Sequence, residues 1–283
     1  MMRAGIEVLK LVKKDHNCSD IEVGAPFLEI QKATVWQGET KALRELSLTL
    51  RLGESVAILG PNGAGKSSLL KILTGELRPA ATEGMECRLF GEKFWDLDTL
   101  RERMGVVMPE EVKRFHPAEA AFDVVLSSLR GAYGRTRQMR FSKAEKQATE
   151  EAIVRLGMAR CLDKDFGELS SGEQRRFLIA RSLVHNPEVI VLDEPSTALD
   201  FAAALTLTQV LQKLTQEGQT LVWVSHHPSE IPPEVQRIIL LKEGQVFRDG
   251  KPKRLLNSET LSALYEVPLH ASWSRGWCQV NPK

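Results

Sequence analysis

Gly60-Pro61-Asn62-Gly63-Ala64-Gly65-Lys66-Ser67 fits the pattern G-x-x-x-x-G-K-[ST] at every fixed position. Ahead of it, Glu54 to Leu59 reads as a buried strand, apolar and partly β-branched. Behind it, Ser68 to Leu73 reads as the start of a helix. Strand, glycine loop and helix follow in the order that phosphate binding needs. The glycines let successive backbone N–H groups turn inward onto phosphate oxygens. The helix N-terminus adds unpaired donors and the positive end of its dipole. Lys66 supplies a point charge for the β- and γ-phosphates of ATP, and Ser67 offers a hydroxyl to Mg²⁺. The candidate ATP-binding set therefore runs from Gly60 through Ser68.

Composition bounds what surrounds this loop. The chain has 283 residues, 42% hydrophobic and 27% charged, as expected of a globular protein with a sizeable core. A net charge of +1 argues against a bulk preference for nucleic acid. No stretch approaches the roughly 18–20 apolar residues of a membrane span, and the N-terminus lacks the pattern of a secretory signal. Cys18, Cys87, Cys161 and Cys278 form no C-x-x-C pair, so neither zinc nor a disulfide framework is expected.

Working outward, residues 1–26 read as a separate extension: Ile6, Leu9 and Lys13 share a helical face, followed by a turn at Asp15 to Asp20. Phe27 to Trp36 partly alternates, Gly38-Glu39-Thr40 turns the chain, and Leu46 to Leu50 alternates cleanly. Met85 to Phe90 adds a further strand to this antiparallel run, and Arg103 to Met108 reads as a short core strand ending at Pro109. Beyond it the pattern turns helical, with Phe122, Val125, Leu126 and Leu129 on one face, and Ala148, Ala152, Val154 and Leu156 in a second helix ending near Gly157. The basic stretch with Arg135, Arg137, Arg140, Lys143 and Lys146 has little aromatic interleaving and reads as a solvated loop and helix face rather than a nucleic-acid patch.

Two more constellations carry chemistry. Val189-Ile190-Val191-Leu192-Asp193-Glu194 reads as a buried parallel strand whose C-terminal end opens into a site. Asp193 is placed to hold Mg²⁺, directly or through water, and Glu194 to polarise an attacking water. Leu169-Ser170-Ser171-Gly172-Glu173 leads into a helix, and Ser170 with Glu173 forms a capping box. The same helix start is also a device for binding an anion.

In this order the motifs resemble the ATP-binding subunits of ABC transporters, over roughly Phe27 to Tyr265. Leu169 to Glu173 resembles the signature LSGGQ, with Ser171 for its first glycine and Glu173 for its glutamine. Asp193 to Asp200 matches the Walker B end running into the D-loop, Val224-Ser225-His226 the switch histidine, and Leu240 to Val246 the closing hairpin. His226-His227 and Leu264 to Pro268 are similar to a subgroup grouped with molybdate- and iron-type importers. The resemblance implies an α/β fold: a P-loop NTPase (RecA-like) core, an antiparallel β subdomain, and a helical insert over about 109–165 carrying the signature. The ATP-binding domain spans 27–267, with a tail at 268–283. It further implies a head-to-tail pair with a second copy or a related domain. Ser170, Ser171, Gly172 and Glu173 of one domain would cap ATP on the other, Asp200 would lie in the D-loop, and Glu194 and His226 would be catalytic. The pair would drive membrane-spanning subunits on other chains from the cytoplasmic face.

Two positions depart from the family pattern. Gln37 stands where an aromatic often stacks on adenine, with Trp36 adjacent on the other face of a strand. Pro109 stands where a Q-loop glutamine is usual, and lacks any side-chain donor or acceptor. Of the two acids that follow, Glu110 is the candidate to supply an oxygen towards Mg²⁺, the alternative being that Glu110 and Glu111 are both solvated. A soluble ABC ATPase acting on ribosomes or DNA is the competing function. The chain carries one such domain rather than two, and its insert is short and without heptads. A nucleotide-dependent regulator is the third reading, opposed by the presence of Asp193, Glu194 and His226 together.

Overall fold

A computed structural model describes residues 23–283, so the helical face expected at Ile6, Leu9 and Lys13 lies outside the described residues. Two strands, β1 (Pro26–Gln37) and β2 (Thr40–Arg51), pair antiparallel across a turn at Gly38. β1 alternates only in part because its register with β2 shifts between Ile30 and Ala33, where Lys32 takes a positive φ of 49°. An inserted residue of this kind resets which face the following side chains occupy. The chain continues through β3 (Val56–Leu59), α1 (Lys66–Leu73), β4 (Glu86–Leu89), α2 (Leu97–Arg103) and β5 (Met104–Val107). Then follow α3 (Ala121–Leu126), α4 (Lys143–Arg155), α5 (Ser171–Leu183), β6 (Val189–Asp193), α6 (Phe201–Gln216) and β7 (Thr220–Ser225). The C-terminal part is β8 (Arg237–Lys242), β9 (Gln245–Gly250), α7 (Pro252–Leu255), α8 (Ser258–Tyr265), β10 (Leu269–Ser274) and β11 (Trp277–Pro282).

These elements fall into two compact bodies. The first holds Glu102–Ile190 and Pro195–Leu211 and is mostly helical. Its sequence pattern placed Phe122 and Leu129 on the buried face of α3. Both are only half-buried, whereas Ala121, Val124, Val125 and Leu126 are buried. For Leu129 the cause is that α3 ends at Leu126 and tightens into a 3₁₀ turn over Ser127–Arg130, which changes the angular spacing. At α4 the expected Ala148, Ala152 and Leu156 are buried, but Val154 is 48% exposed and its neighbour Ile153 is buried in its place. Gly157, at φ 72°, follows the end of that helix.

The second body comprises 23–101, Val191–Glu194 and Gln212–Lys283. β2, β1 and β4 make one antiparallel sheet in that order. A second sheet has β6, β7, β3, β8 and β9 side by side. β3 runs parallel to both β7 and β8, with Leu59 level with Ser225 and with Leu240. β3 and the inner residues of β7 are buried on both faces, which is why they read as continuous apolar runs. Residues 268–283, expected as a tail, instead close into the hairpin β10–β11, turning at Arg275 and Gly276, both at positive φ. That is the two-residue turn whose twist matches paired strands.

Candidate functional site

The glycine loop begins where β3 ends. Gly65 takes φ 99° at the start of α1, and a Cβ there would lie 2.7 Å from the Ala42 carbonyl, so no other residue fits without strain. The loop is fixed from outside: the Gly244 N–H donates to the Ala64 carbonyl at 3.1 Å, and the Arg44 N–H to the Gly244 carbonyl at 2.9 Å. The turn of the β8–β9 hairpin thus braces the phosphate loop. Inside it, the Lys66 ammonium donates to the carbonyls of Gly60 at 2.7 Å and Pro61 at 3.0 Å. Burial lowers its pKa, while the negative charges of Glu194 and Asp193 oppose that shift. The buried ammonium is the positive charge that the loop offers an incoming polyanion. Ser67 is exposed at the helix start, whereas Ser68 is buried and accepts from the Gln37 amide at 3.1 Å. Gln37 therefore braces the first turn of α1. Trp36 stays 51% exposed, with the Lys41 ammonium 5.0 Å over its ring.

Glu194 follows directly on β6 in a left-handed conformation, φ 41°, with its N–H donating to the Val224 carbonyl at 2.8 Å. A non-glycine residue costs roughly 1–2 kcal/mol there, a form of strain that clusters at functional sites. The turn sets the Glu194 carboxylate against His226, with Oε1 2.8 Å from Nδ1. Since a carboxylate only accepts, Nδ1 is the donor. Side chains alternate along a strand, so on a β7 that continued past Ser225, His226 and His227 would lie on opposite faces. That alternation fails because β7 ends at Ser225, and the two rings lie together with centroids 3.7 Å apart. His227 does precede a 3₁₀ turn, Pro228–Glu230, but its backbone carbonyl serves that turn and its imidazole makes no capping bond. Glu230, which sequence reasoning passed over, accepts from the Ser225 hydroxyl at 3.0 Å and locks the segment just after β7.

The signature residues and Asp200 belong to the helical body, and Lys66, Asp193, Glu194 and His226 to the other. Ser170 caps α5: its hydroxyl accepts from the Glu173 N–H at 3.3 Å, and the Glu173 carboxylate takes the Ser170 N–H at 3.0 Å. The Ser170 hydroxyl lies within 3.0 Å of the same carboxylate oxygen. Arg160 adds an ion pair at 3.2 Å and Cys161 an Sγ contact at 3.6 Å. The Ser170 backbone bond is the main cause that pushes the Glu173 pKa down to about 2, so its contribution is complete above the ordinary carboxylate range and is lost only as pH falls through that value. Ser170 and Ser171 are exposed, and Gly172 is buried: a Cβ on it would lie 2.7 Å from the Ala203 Cβ. Asp200 caps α6, accepting from the Ala203 N–H at 2.8 Å.

At the Q-loop position, Pro109 opens a 3₁₀ turn over Pro109–Arg114. The alternative that both acids are solvated does not hold. Glu110 is exposed, but Glu111 turns inward, accepting from Tyr133 at 3.1 Å and from the Met108 N–H at 3.4 Å. Burial raises the Glu111 pKa. A carboxyl so raised contributes stability that is full below the unfolded pKa and is lost as pH rises through the folded one. Glu111→Ala is expected to lower the unfolding free energy by about 1–3 kcal/mol, as the Tyr133 hydroxyl and Met108 N–H lose their acceptor. Glu110→Ala should stay within about 0.5 kcal/mol of the parent. Urea titrations compare the two, and equal losses would contradict the inward orientation of Glu111.

A parallel sheet with a phosphate loop at one strand end and two acids at another is the frame of a P-loop nucleotide-binding protein. The ABC transporter family model matches residues 43–197. An uncharacterized ABC transporter ATP-binding protein, YlmA of Bacillus subtilis, is 31% identical over 259 residues, 88% of this chain and 94% of that protein. The structure of CbiO1 from Clostridium perfringens, part of the ABC transporter complex CbiONQ, superposes with a TM-score of 0.72 at 26% identity, covering 86% of this chain and 94% of that one. The ATP-binding cassette MJ0796, a dimer in a post-hydrolysis state bound to ADP and Pi, gives 0.66 at 29% identity over 80% and 98%. The chain belongs to the ABC transporter family, among its ATP-binding subunits.

Proposed function

We propose that the chain binds ATP with Mg²⁺ and hydrolyses it, pairs head to tail with a second copy or a related ATP-binding domain, and drives membrane-spanning subunits on other chains from the cytoplasmic face. The observation that carries this is the bond from His226 to Glu194 at the strand ends, in the same body as the phosphate loop. In this reading the loop from Gly60 to Ser67 cradles the phosphates and Lys66 neutralises them. Ser67 and Asp193 hold the Mg²⁺, directly or through water. Their hydroxyl and carboxylate oxygens are the hard donors this ion takes, and it needs few protein ligands when phosphates supply the rest. The ion, when bound, neutralises charge on the β- and γ-phosphates. Glu194 orients the water, and His226 senses the γ-phosphate while holding the carboxylate in place. The transporter complex to which CbiO1 belongs supports the membrane partner, and the MJ0796 dimer supports the pairing. Among the described residues no helix is long and apolar enough to cross a membrane. The domain division into 27–267 with an insert at 109–165 rests on the same family reading.

The head-to-tail pairing is tested at Ser170. If its hydroxyl serves the partner's γ-phosphate, Ser170→Ala should leave ATP affinity of the monomer nearly intact and abolish ATP-dependent dimerisation, measured by light scattering in the hydrolysis-deficient background. A cap alone would cost about 0.5–2 kcal/mol of stability with no selective effect on the dimer. An Ala variant that dimerises like its parent would leave Ser170 with only its capping role.

A further inference from the structure

The segment after β7 is held from the C-terminal side by a group that the roles above do not use. Tyr265, the last residue of α8, donates its hydroxyl to the backbone carbonyl of His226 at 2.8 Å. The bond spans 39 positions in sequence, and burial holds the phenol well above its ordinary pKa, so the hydroxyl keeps its proton. The helix that delivers it is fixed at both ends. Asn257 caps its start, accepting from the Thr260 N–H at 2.9 Å. At its end the Lys242 ammonium donates to the Ala263 carbonyl at 2.8 Å and pairs with Glu266 at 2.8 Å, while Glu266 turns the chain at φ 59°. The β10–β11 hairpin then returns to the same segment, where a Cβ on Gly276 would come within 3.1 Å of the Pro233 ring.

We infer that Tyr265 is a positioning residue for hydrolysis, setting the angle of the His226 peptide and hence of the imidazole that meets Glu194. His226 lies one residue past the strand, where the sheet ladder no longer fixes its peptide plane. The peptide that joins His226 to His227 is pinned at its N–H through side chains: the His227 N–H donates to the Ser225 hydroxyl at 3.0 Å, and that hydroxyl donates to Glu230. The Tyr265 bond fixes the His226 carbonyl in the same way. Rotation of that peptide swings the ring about Cα, and a 2.8 Å contact is lost within a few tenths of an ångström. The inference rests on the proposed role of His226.

Tyr265→Phe deletes the hydroxyl and keeps the ring. Expected is a fall in kcat of roughly 10- to 100-fold with KM for ATP unchanged, the effect of a displaced catalytic side chain rather than a weakened site. Trp273→Phe is the control for mere C-terminal packing. It removes the Trp273 bond to the Leu256 carbonyl in the same region and should lower Tm without lowering kcat at 25 °C. His226→Ala and the double variant are measured alongside. A loss in Tyr265→Phe that vanishes in the His226→Ala background supports the inference. Parent kcat in Tyr265→Phe while His226→Ala is dead overturns it and leaves the role of His226 standing. Parent kcat in His226→Ala overturns that role and this inference together. Equal kcat losses in Tyr265→Phe and Trp273→Phe also overturn it, since packing alone then accounts for the effect.

Discussion

Replacing Glu194 with glutamine is expected to preserve ATP binding and to lower hydrolysis by roughly 10²- to 10⁴-fold, the range of a lost general base. The amide keeps the size and one oxygen of the carboxylate but not its negative charge, so it neither takes a proton nor orients the water as firmly. The structure adds a second consequence. His226 Nδ1 donates to Oε1 at 2.8 Å, and the amide oxygen of glutamine accepts the same bond when the side chain is turned that way. Glu194→Gln should therefore hold the His226 ring in place, and Glu194→Ala should not. Both lose turnover, but only glutamine is expected to trap an ATP-bound dimer, because bound ATP is no longer consumed in an otherwise intact site. Size-exclusion chromatography with and without ATP, beside a phosphate-release assay, reads both quantities. Turnover at the parent rate in Glu194→Gln would remove Glu194 from the reaction.

The parts of the site that were legible in the sequence are those whose function demands a local pattern. Gly65 has to adopt a left-handed φ beside the Ala42 carbonyl, so the glycine spacing of the loop is visible in the chain itself. Ser170 and Glu173 meet because they stand three positions apart at a helix start, and the capping box is read from that spacing. What stayed hidden depends on contacts between distant residues or on where an element stops. The side-by-side packing of His226 and His227 follows from β7 ending at Ser225, and strand boundaries are set by tertiary pairing rather than by residue type. The 3₁₀ turn after Leu126 moved Leu129 off the buried face that Val125 and Leu126 keep, for a similar reason. Glu111 differs from Glu110 only because its carboxylate meets Tyr133, 22 positions away. The C-terminal hairpin was missed because its alternation is weak: Ala271 and Trp273 are only half-buried, and Cys278 alone is fully buried in β11. Its one local signal was Arg275-Gly276, read as part of a tail.

The expected order of effects at the two histidines follows from their partners. His226→Ala should reduce hydrolysis by about 10²-fold or more, comparable to loss of a positioned acid–base group. Its imidazole is the group bonded to Glu194, so its removal leaves the carboxylate, already on a left-handed backbone turn, with one fewer contact to fix its direction. His227→Ala should reduce hydrolysis only a few-fold. The His227 ring touches the site solely by packing on His226, with centroids 3.7 Å apart, and the bond that fixes the local backbone comes from its N–H, which alanine retains. His226→Gln provides the intermediate case: its amide can donate to a carboxylate but is not fixed at the position of Nδ1, so partial activity is expected. Steady-state ATPase rates for the three variants, each with ATP affinity measured by equilibrium titration, separate loss of chemistry from loss of binding. A larger effect at His227 than at His226 would mean that the ring now lying outside the contact is the one that meets the γ-phosphate when ATP is bound, with a rotation of the Ser225–Pro228 segment between the two states.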